Sequence, residues 1–595
     1  MSGLLTTSRL SRYIGNFIVN QCRTATRDVS RRRVIRSACP ALLQTHSREY
    51  GQPRPVEEPA MFCQQCEQTK FRKGCETVGV CGKNPQVSAL QDLLRHLVKG
   101  MSVYAHRVTQ KGMSPSIEMD DFVHSALFST LTNVNFDASR FPSYIERAVK
   151  YRDELKAIVE ELEAEGRKVS IPVYEEEYGQ DVAGVRQMII LGLKGMCTYS
   201  RHAVRLGERD PWIPRFVYQT FDFLETGPEE LRKDLTHNLE LAIKVGETNV
   251  RVMEILDRAH RIKFGEPSPA TISTKPKMGK SILVSGHDIA DLAEILEQTS
   301  GKDVNVYTHG ELMPAHGYPG LRQYKHFAGH FGGAWQLQKF DFAAFPGPIV
   351  VTTNCVLEPL RSYQGRLFTM NDCGIPGVEH FDLETQGDID KVVKVAHEMD
   401  GFTHELSGRD VTIGFGREAI LRNTDKVLDA MKNGQLSRIF VIGGCDGAEH
   451  KRNYFTALAD SLPADTLIMT MGCAKYRFNY KDFGSLGSTG LPRLLDLGQC
   501  NDTYGAVMVA KALASKLNKD INSLPMSIML SWFEQKSVAV LLSLLSLGVE
   551  NIRIGPVMPA FITPTVQKIL EEKFKIIPVD IRHPMEDLKI MFQSK

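Results

Sequence analysis

Residues 439–445 read IFVIGGC and residues 467–473 read LIMTMGC. Each stretch is a short apolar run that passes through glycine to a cysteine, the pattern of a buried strand that ends in a tight turn. Residues 494–500 read LLDLGQC and repeat the pattern, although this run fits a strand or a helix. In open α/β sheets ligands bind beyond the carboxyl ends of the strands. If the runs form neighbouring parallel strands, we therefore expect their three thiols to converge.

The same arrangement recurs in other parts of the chain, where further metal-ligating residue types follow apolar runs. Upstream these are an imidazole, a carboxylate and a thiol, and downstream there is a second carboxylate. In chain order, the seven candidate ligands are His287, Glu311, Cys355, Cys445, Cys473, Cys500 and Glu534. Soft sulfur ligands combined with harder nitrogen and oxygen ligands indicate a metal centre larger than one mononuclear zinc ion requires.

A separate group of cysteines lies in residues 61–83, which read MFCQQCEQTKFRKGCETVGVCGK. The four thiols belong to Cys63, Cys66, Cys75 and Cys81. Metal ligands are favoured over disulfides because the chain has no secretory signal. There is one CxxC and no second one, so the spacing argues against a zinc ribbon and favours an iron–sulfur cubane over structural zinc.

Overall composition indicates a globular protein of several domains. The chain has 595 residues, of which 42% are hydrophobic and 24% are charged. Lys and Arg number 72 against 70 Asp and Glu, which argues against a nucleic-acid partner. The longest apolar run near the end, residues 537–549, is too short to span a bilayer and predicts a buried helix.

The first 50 residues differ from the rest in charge. They contain nine arginines, no lysine and two acidic residues, so their charge is 9 − 2 = +7, against 2 − 7 = −5 for the remainder. They are rich in Ser and Thr and lack the apolar core of a secretory signal, which is typical of an organellar transit peptide. We expect residues 1–55 to be a transit peptide and linker that direct the protein to the mitochondrion or a mitochondrion-related organelle. The alternatives are a plastid, or a disordered basic tail on a cytoplasmic protein.

Helical patterns fill the region between the first cysteines and the strands. A KGMxxY motif at residues 99–104 recurs at 194–199, which predicts two related helical bundles at 84–165 and 180–265. Strand and helix patterns then alternate to the end. The predicted fold class is multidomain α + α/β, with an N-terminal helical-bundle domain followed by two Rossmann-like α/β domains with mainly parallel sheets. Its expected divisions are 56–277 for the cubane-binding segment plus helical-bundle domain, 278–425 for one α/β domain and 426–595 for the other.

Taken together, these motifs resemble the hybrid cluster proteins, also called prismane proteins or hydroxylamine reductases. The resemblance covers about residues 61–595. It rests on the N-terminal cysteine motif and on SGHD at 285–288, HGE at 309–311, TTNC at 352–355, GGCDG at 443–447, MGCAKYRFN at 471–479, GQCND at 498–502 and FEQK at 533–536.

The resemblance implies two cofactors. One is a 4Fe-4S cluster on the four N-terminal cysteines, whose short spacing is similar to that of the 4Fe-4S classes of the family. The other is a hybrid iron–sulfur–oxygen cluster of the 4Fe-2S-2O type on the seven residues at the strand ends. Cys445 matches the persulfide-bearing cysteine of the family, whereas Cys373 matches no ligand.

The resemblance also implies an activity. The protein would be an oxidoreductase that reduces small N-oxides, converting hydroxylamine to ammonia and water, nitric oxide to nitrous oxide, or both. His287, Glu534 and Cys445 would be catalytic, the first two as proton donors, while Lys475 and Lys536 would either stabilise charge nearby or lie on the surface. Electrons would come from a separate ferredoxin or flavin/iron–sulfur reductase. The alternatives are a protein S-nitrosylase or nitric oxide sensor that uses the Cys445 sulfur, and a zinc-bound scaffold without a redox role.

Overall fold

The computed structural model describes residues 61–69, 73–164, 178–381 and 389–593. The expected transit peptide and linker, residues 1–55, lie outside the described residues. In the described part of the chain a helical region is followed by two parallel sheets, which confirms the predicted fold class. None of the helices described there is both long enough and apolar enough to cross a membrane.

The helical region contains seven α-helices among the described residues. They are α1 (Pro85–Gln110), α2 (Ile117–Ser129), α3 (Phe141–Ala164), α4 (Gln180–Arg205), α5 (Trp212–Thr226), α6 (Glu229–Lys233) and α7 (Leu235–Phe264). Helix α1 begins at Pro85 because the Asn84 side chain accepts a hydrogen bond from the Val87 N–H and proline suits the first turn. The two related halves share one core, since α1 packs against α3 and α5, and α4 packs against α2 and α7.

The first parallel sheet has the strand order β4-β3-β2-β5-β6-β7. The strands of this region are β1 (Ala270–Ser273), β2 (Ser281–Ser285), β3 (Asn305–His309), β4 (Phe327–His330), β5 (Ile349–Val351), β6 (Leu367–Met370), β7 (Glu379–Phe381) and β8 (Asp410–Ile413). Its α-helices are α8 (Ile289–Thr299), α9 (Pro319–Arg322), α10 (Gln338–Ala344), α11 (Arg361–Gln364), α12 (Ile389–Glu398), α13 (Arg417–Leu421) and α14 (Thr424–Lys432). Strand β1 lies before residue 278, where the first α/β domain was expected to begin. It pairs antiparallel with β8, outside the main sheet.

The second parallel sheet has the order β11-β10-β9-β12-β13-β14. Its strands are β9 (Arg438–Gly444), β10 (Thr466–Met471), β11 (Leu494–Gly498), β12 (Met526–Ser531), β13 (Ile552–Gly555) and β14 (Ile577–Pro578). The α-helices of this region are α15 (Asn453–Asp460), α16 (Thr503–Leu517), α17 (Gln535–Ser546), α18 (Pro564–Phe574) and α19 (Pro584–Gln593). The run at 494–498 is thus a strand. Helix α17 is the predicted buried apolar helix, and it packs against α4 and α7 of the helical region.

Each sheet has a topological switch point, where neighbouring strands are followed by connections that lead in opposite directions. It lies between β2 and β5 in the first sheet and between β9 and β12 in the second. A crevice opens beyond the carboxyl ends of the strands at such a point, and ligands bind there. These four strands lead to His287, Cys355, Cys445 and Glu534. Four of the seven predicted metal ligands therefore follow the strands that flank the two switch points.

Candidate metal centre

The two sheets contribute side chains to a common centre. One possible ligand atom from each of His287, Glu311 and Cys500 lies within 4.8 Å of the others. The first two residues follow β2 and β3 of the first sheet, whereas the third follows β11 of the second. The carboxyl ends of the two sheets therefore meet at this centre.

The other four predicted ligands lie in one region, since Cys355, Cys473 and Cys445 belong to one apolar cluster with Phe533, the residue before Glu534. Burial raises the pKa of Cys355 well above its usual value, and the charges of Glu534 and Cys445 raise it further. Burial likewise raises the pKa of Cys473, with added contributions from Glu311 and from Cys355. Lys536 lies among them, between Asn354 and Glu534, and its charge therefore lowers the pKa of ligands from both sheets.

Glycine permits the close approach of the strands that carry these ligands. At Gly444 the backbone has φ +107°, and a Cβ atom there would lie 2.0 Å from the Ser531 carbonyl oxygen at the end of β12. Any side chain at this position would therefore push β9 and β12 apart at the switch point. This contact explains the glycine before Cys445 in the IFVIGGC stretch.

His287 is held in a form suited to metal binding. Its Nδ1 lies 2.6 Å from the Asn354 carbonyl oxygen, which can only accept a hydrogen bond, so the Nδ1 atom carries the proton. Burial and the nearby charge of Lys536 lower the imidazole pKa well below its usual value. The ring is therefore neutral with its lone pair on Nε2, the arrangement found in most histidine metal ligands.

Glu311 shows most directly that the centre is built for a metal. Its side chain is 3% exposed, and neither carboxylate oxygen meets hydrogen-bond geometry with a donor among the described residues, although the Cys473 thiol lies close enough to lower its pKa. Burial raises its pKa, although the charges of Lys475 and Lys536 act in the opposite direction. An unpartnered buried carboxylate is costly, and a coordinated cation would remove that cost. The residues present therefore fit a metal group.

The chemistry of the seven donors agrees with this interpretation. Four sulfurs, two carboxylates and one imidazole combine soft and hard ligands, as an iron–sulfur–oxygen group requires. Burial and the charge of Glu534 raise the pKa of Cys445 to about 11, and burial raises that of Cys500 to about 12. The thiols are thus protonated at neutral pH without metal, and metal binding would displace their protons.

Both lysines singled out in the sequence are buried, so the surface interpretation is wrong for each. The Lys475 Nζ donates to Asp496 Oδ1 and to the Gly498 carbonyl oxygen, both at 2.7 Å. The Lys536 Nζ donates to Asn354 Oδ1 at 3.0 Å and lies 3.7 Å from Glu534 Oε1. These two charges offset the negative charge that thiolates and carboxylates bring to the centre.

The four N-terminal cysteines also form one group. Cys63 and Cys75 pair across an antiparallel bridge through hydrogen bonds of 3.0 and 2.7 Å. The pKa of Cys66 is raised well above its usual value by burial, and next by the charges of Cys81 and Cys63. All four are free thiols in the structure. The segment therefore presents a compact set of four sulfurs.

This cysteine segment is docked against the second sheet. The Glu67 N–H donates to the Phe533 carbonyl oxygen at 3.0 Å, immediately before Glu534. The buried Arg452 guanidinium donates to Glu67 Oε2 at 3.0 Å and to the Trp532 carbonyl oxygen at 2.9 Å. The segment that carries the N-terminal thiols is therefore fixed to the loop that carries one ligand of the other centre.

Three side chains that touch the centre were missed from the sequence. The Tyr199 hydroxyl donates to Cys500 Sγ at 3.0 Å, and the Ser537 hydroxyl lies 2.9 Å from Cys445 Sγ. The Gln499 Nε2 donates to the backbone carbonyl oxygens of His287 and Glu311, both at 2.7 Å. Tyr199 belongs to the repeated KGMxxY motif, but the motif alone assigns it no role. The other two carry no local signal.

Fold and centre together define the class, a protein with a candidate metal centre built on two parallel α/β sheets and a helical domain. The chain belongs to the Prismane/CO dehydrogenase family, whose sequence model matches residues 61–589. It is 44% identical over 553 residues to a hydroxylamine reductase of Syntrophobacter fumaroxidans, covering 89% of this chain and 99% of that protein. It is 45% identical over 546 residues to a hydroxylamine reductase of Acidithiobacillus ferrooxidans, covering 87% and 96%.

Solved structures agree on the fold. A carbon monoxide dehydrogenase from Thermococcus sp. AM4 superposes with a TM-score of 0.52 at 18% identity, covering 89% of this chain and 90% of that one. Carbon monoxide dehydrogenase IV from Carboxydothermus hydrogenoformans gives 0.51 at 15% identity, covering 98% of both chains. At these identities the likeness concerns the fold alone.

Proposed function

We propose that this protein reduces hydroxylamine to ammonia and water at the seven-residue centre. The relatives make it an oxidoreductase that acts on nitrogenous compounds. The observation that carries the proposal is the unpartnered buried carboxylate of Glu311 beside His287 and Cys500. In this proposal the seven residues hold the hybrid 4Fe-2S-2O-type cluster, and the N-terminal cysteines hold a 4Fe-4S cluster. The protein acts in the mitochondrion or a related organelle.

The reaction consumes one hydroxylamine, two electrons and two protons, and gives one ammonia and one water. When bound, the hybrid cluster supplies the electrons and a Lewis acid for cleavage of the N–O bond. The chain supplies the protons. Burial raises the pKa of Glu534, and Lys536 and two backbone N–H groups oppose this only in part, so its carboxyl group can exchange the metal for a proton and deliver it. His287, the second proton donor expected from the sequence, would first have to leave the metal and take up a proton at Nε2, because the one N–H of its neutral ring is held by the Asn354 carbonyl oxygen.

Aromatic side chains shield the centre from water. The Trp335 and Phe533 rings pack with centroids 4.5 Å apart in one apolar cluster with Cys355 and Cys473. The Trp335 Nε1–H donates to the Asp446 carbonyl oxygen at 3.0 Å, which fixes the ring beside the Cys445 loop. Exclusion of water strengthens every charge interaction inside the centre.

The docking of the N-terminal cysteine segment against the second sheet suits this segment to electron delivery. An all-thiolate cluster is saturated with ligands and favours electron transfer over substrate binding. The four N-terminal cysteines would hold that cluster and so supply an electron-transfer group, with a separate ferredoxin or flavin/iron–sulfur reductase as the electron donor. The hydrogen bond between Glu67 and Phe533 holds the N-terminal cysteine segment against the loop that carries Glu534.

Ammonia formation tests the proposal. Anaerobically purified, iron-loaded, pre-reduced protein should convert hydroxylamine to ammonia over many turnovers, measured by an enzymatic ammonia assay. A zinc-loaded preparation serves as the control and should be inactive. If fully iron-loaded protein yields no ammonia, hydroxylamine reduction is not its activity.

Nitric oxide is the second candidate substrate, and it is favoured by an apolar cavity that reaches Cys500. Two nitric oxide molecules, two electrons and two protons would give one nitrous oxide and one water. A nitric oxide electrode and headspace analysis for nitrous oxide would compare the two substrates with the same electron donor.

Nitrosyl transfer or nitric oxide sensing is a third candidate. Cys445 and Cys500 are partly exposed, whereas Cys355 and Cys473 are buried, and of the two partly exposed thiols Cys445 is the one that matches the persulfide-bearing cysteine of the family. Transfer of a nitrosyl group to a partner thiol in the absence of any electron donor would favour this function. Transfer that requires the donor would argue against it.

Replacing Tyr199 by phenylalanine should lower the midpoint potential of the hybrid cluster. The hydroxyl donates to Cys500 Sγ at 3.0 Å, and such hydrogen bonds stabilise the added negative charge of a reduced cluster. An anaerobic redox titration followed by electron paramagnetic resonance measures the shift. Tyr104→Phe, the equivalent change in the first KGMxxY motif, is the control and should leave the potential unchanged. An unshifted potential in iron-replete Tyr199→Phe would contradict the prediction.

Replacing Lys83 by methionine should lower the midpoint potential of the N-terminal cluster. Lys83 is 2% exposed, and although burial lowers its pKa, the charges of Cys63 and Cys81 outweigh that effect and raise it. A buried positive charge beside a cluster favours the reduced, more negative state. The same titration measures the change. Lys73→Met is the control, because Lys73 is exposed and its charge is screened by water.

A further inference from the structure

The repeated KGMxxY motif places its lysine in two different settings. In the first copy, on α1, the Lys99 Nζ lies 2.6 Å from Glu225 Oε1, so the two side chains form an ion pair. In the second copy, on α4, Lys194 forms no ion pair with any residue that the structure describes, and its Nζ donates to Gln65 Oε1 at 2.8 Å. The same motif therefore holds one lysine against a carboxylate and the other against a neutral amide.

Lys194 is buried beside the N-terminal cysteine segment. Its side chain is 1% exposed, and Gln65 lies in the CQQC stretch between Cys63 and Cys66. The contact joins the middle of the helical region to the loop that carries two of the predicted cluster ligands. An electron that reaches this loop would therefore place its charge close to the lysine.

The hydrogen bonds around Gln65 fix which atom donates. The Thr132 backbone N–H, which can only donate, gives its hydrogen to Gln535 Oε1 at 3.1 Å. The other end of that amide, the Gln535 Nε2, therefore donates to Gln65 Oε1 at 3.3 Å. Lys194 must donate to the same oxygen, and a neutral amine does so while its lone pair stays free. The site thus accepts the lysine in either protonation state.

The surroundings of Lys194 favour its neutral form. Burial lowers its pKa well below the usual value. Two positive charges lower the pKa further, whereas one thiol and one carboxyl group raise it; in order of effect these are Arg95, Lys83, Cys63 and Asp92. The loop before α17, which meets α4 at Gly195, adds one charge of each sign on Glu534 and Lys536. On another side of α4, Gly192 packs against the uncharged side chains of Val245 and Leu542.

We propose that Lys194 takes up one proton when one electron reaches the N-terminal cysteine site. The proposal rests on the proposed function, which assigns a 4Fe-4S cluster to those cysteines. The added electron makes the site more negative, and a nearby negative charge favours the ammonium form of a lysine. Charge balances in this step, because one electron from the external donor is matched by one proton from solvent, which forms the third N–H bond of the ammonium group. By reciprocity, the proton stabilises the reduced state.

This assignment gives the two copies of the motif different roles. In the second copy Lys194 acts at the N-terminal cysteines, and Tyr199 donates to Cys500 of the seven-residue centre. In the first copy Lys99 is already paired with Glu225. The electron held at the N-terminal site is accompanied by a proton, which agrees with the equal numbers of electrons and protons that hydroxylamine reduction consumes.

The pH dependence of a midpoint potential tests the proposal without any substrate. Full-length, iron-loaded protein is titrated anaerobically with dithionite at several pH values, and the N-terminal cluster is followed by electron paramagnetic resonance. Its potential should fall as pH rises, by up to about 59 mV per pH unit for one proton per electron. Lys194→Met should remove this slope, because methionine takes up no proton. Lys99→Met, the matched change in the first copy, should keep it.

Gln65→Glu provides a second variant that retains the lysine. It gives Lys194 the carboxylate that Glu225 gives Lys99, so the ammonium form persists in both redox states and the slope should again be lost. A wild-type potential that does not change with pH overturns the proposal, as does a slope that persists in folded, iron-loaded Lys194→Met. If that variant does not fold, Gln65→Glu is judged in the same way. Absence of the cluster signal from iron-loaded wild-type protein overturns the proposed N-terminal cluster itself, and this proposal with it.

Discussion

Glu534→Gln is expected to lower ammonia formation from hydroxylamine by about 10²-fold or more, the usual contribution of a general acid. The carboxyl group is 2% exposed and lies at the mouth of the β9–β12 switch point. Glutamine has nearly the same shape but cannot hand a proton to the substrate. It can still accept the Lys536 N–H, which the Glu534 Oε2 accepts at 3.0 Å to cap α17. The fold should therefore survive while the reaction loses a proton.

Measurement of this variant requires two readings on the same sample. Ammonia per protein gives the activity, and colourimetric iron analysis shows whether the cluster is still present. Glu586→Gln, an exposed change on α19, is the matched control and should keep full activity. If iron-replete Glu534→Gln were fully active, proton delivery would have to come from elsewhere, with His287 as the next residue to replace.

Most of the site was predictable from the sequence because parallel strands share a carboxyl edge. The IFVIGGC and LIMTMGC stretches form β9 and β10, which pair in parallel with Ile439 opposite Leu467. Once both runs are strands of one sheet, their thiols must lie at the same edge. Local sequence patterns were therefore sufficient to place each ligand within its own sheet.

What the sequence did not provide is the relation between distant parts of the chain. The hydrogen bonds of Gln499 to the His287 and Glu311 carbonyl oxygens join the two sheets across about two hundred residues. The periodicity of a strand fixes its buried face but not which sheet it will meet. Burial of Lys475 depends on Asp496, and burial of Lys536 on Asn354, so neither could be distinguished from a surface lysine.

In the helical region too, the sequence predicted the individual elements but not how they pack together. Its repeat was visible in the KGMxxY motif, and both halves are helical. The spacing of apolar residues showed which face of each helix is buried. It did not show that α1 would pack against α5 of the other half, since helix partners are chosen by tertiary packing. The run at 494–498 was ambiguous for a related reason, because only pairing with β10 makes it a strand.

Arg452→Met should destabilise the protein by about 3–5 kcal/mol, the cost of removing one partner from a buried ion pair. The guanidinium is fully buried and donates to Glu67 Oε2 at 3.0 Å, Ser531 Oγ at 2.7 Å and Glu449 Oε2 at 2.8 Å. Methionine fills part of the space but leaves the Glu67 carboxylate buried with the nearby Lys451 ammonium as its remaining cation. A lower urea midpoint is expected, with faster loss of the N-terminal cluster to an iron chelator, because Glu67 lies next to Cys66. Arg582→Met, an exposed change, should alter neither.

The double variant Glu67→Met/Arg452→Met separates the two possible sources of this instability. If the cost comes from the Glu67 carboxylate, which has lost Arg452 and keeps Lys451, removing this carboxylate should recover much of the lost stability. Replacing both members of a buried ion pair by apolar groups is often neutral. A double variant as unstable as the single one would instead assign the loss to the hydrogen bonds that Arg452 gives Ser531 and the Trp532 carbonyl oxygen. With Glu67→Met also measured alone, the coupling energy of the double-mutant cycle gives the strength of the charge pair that holds the N-terminal cysteine segment against the sheet that carries Glu534.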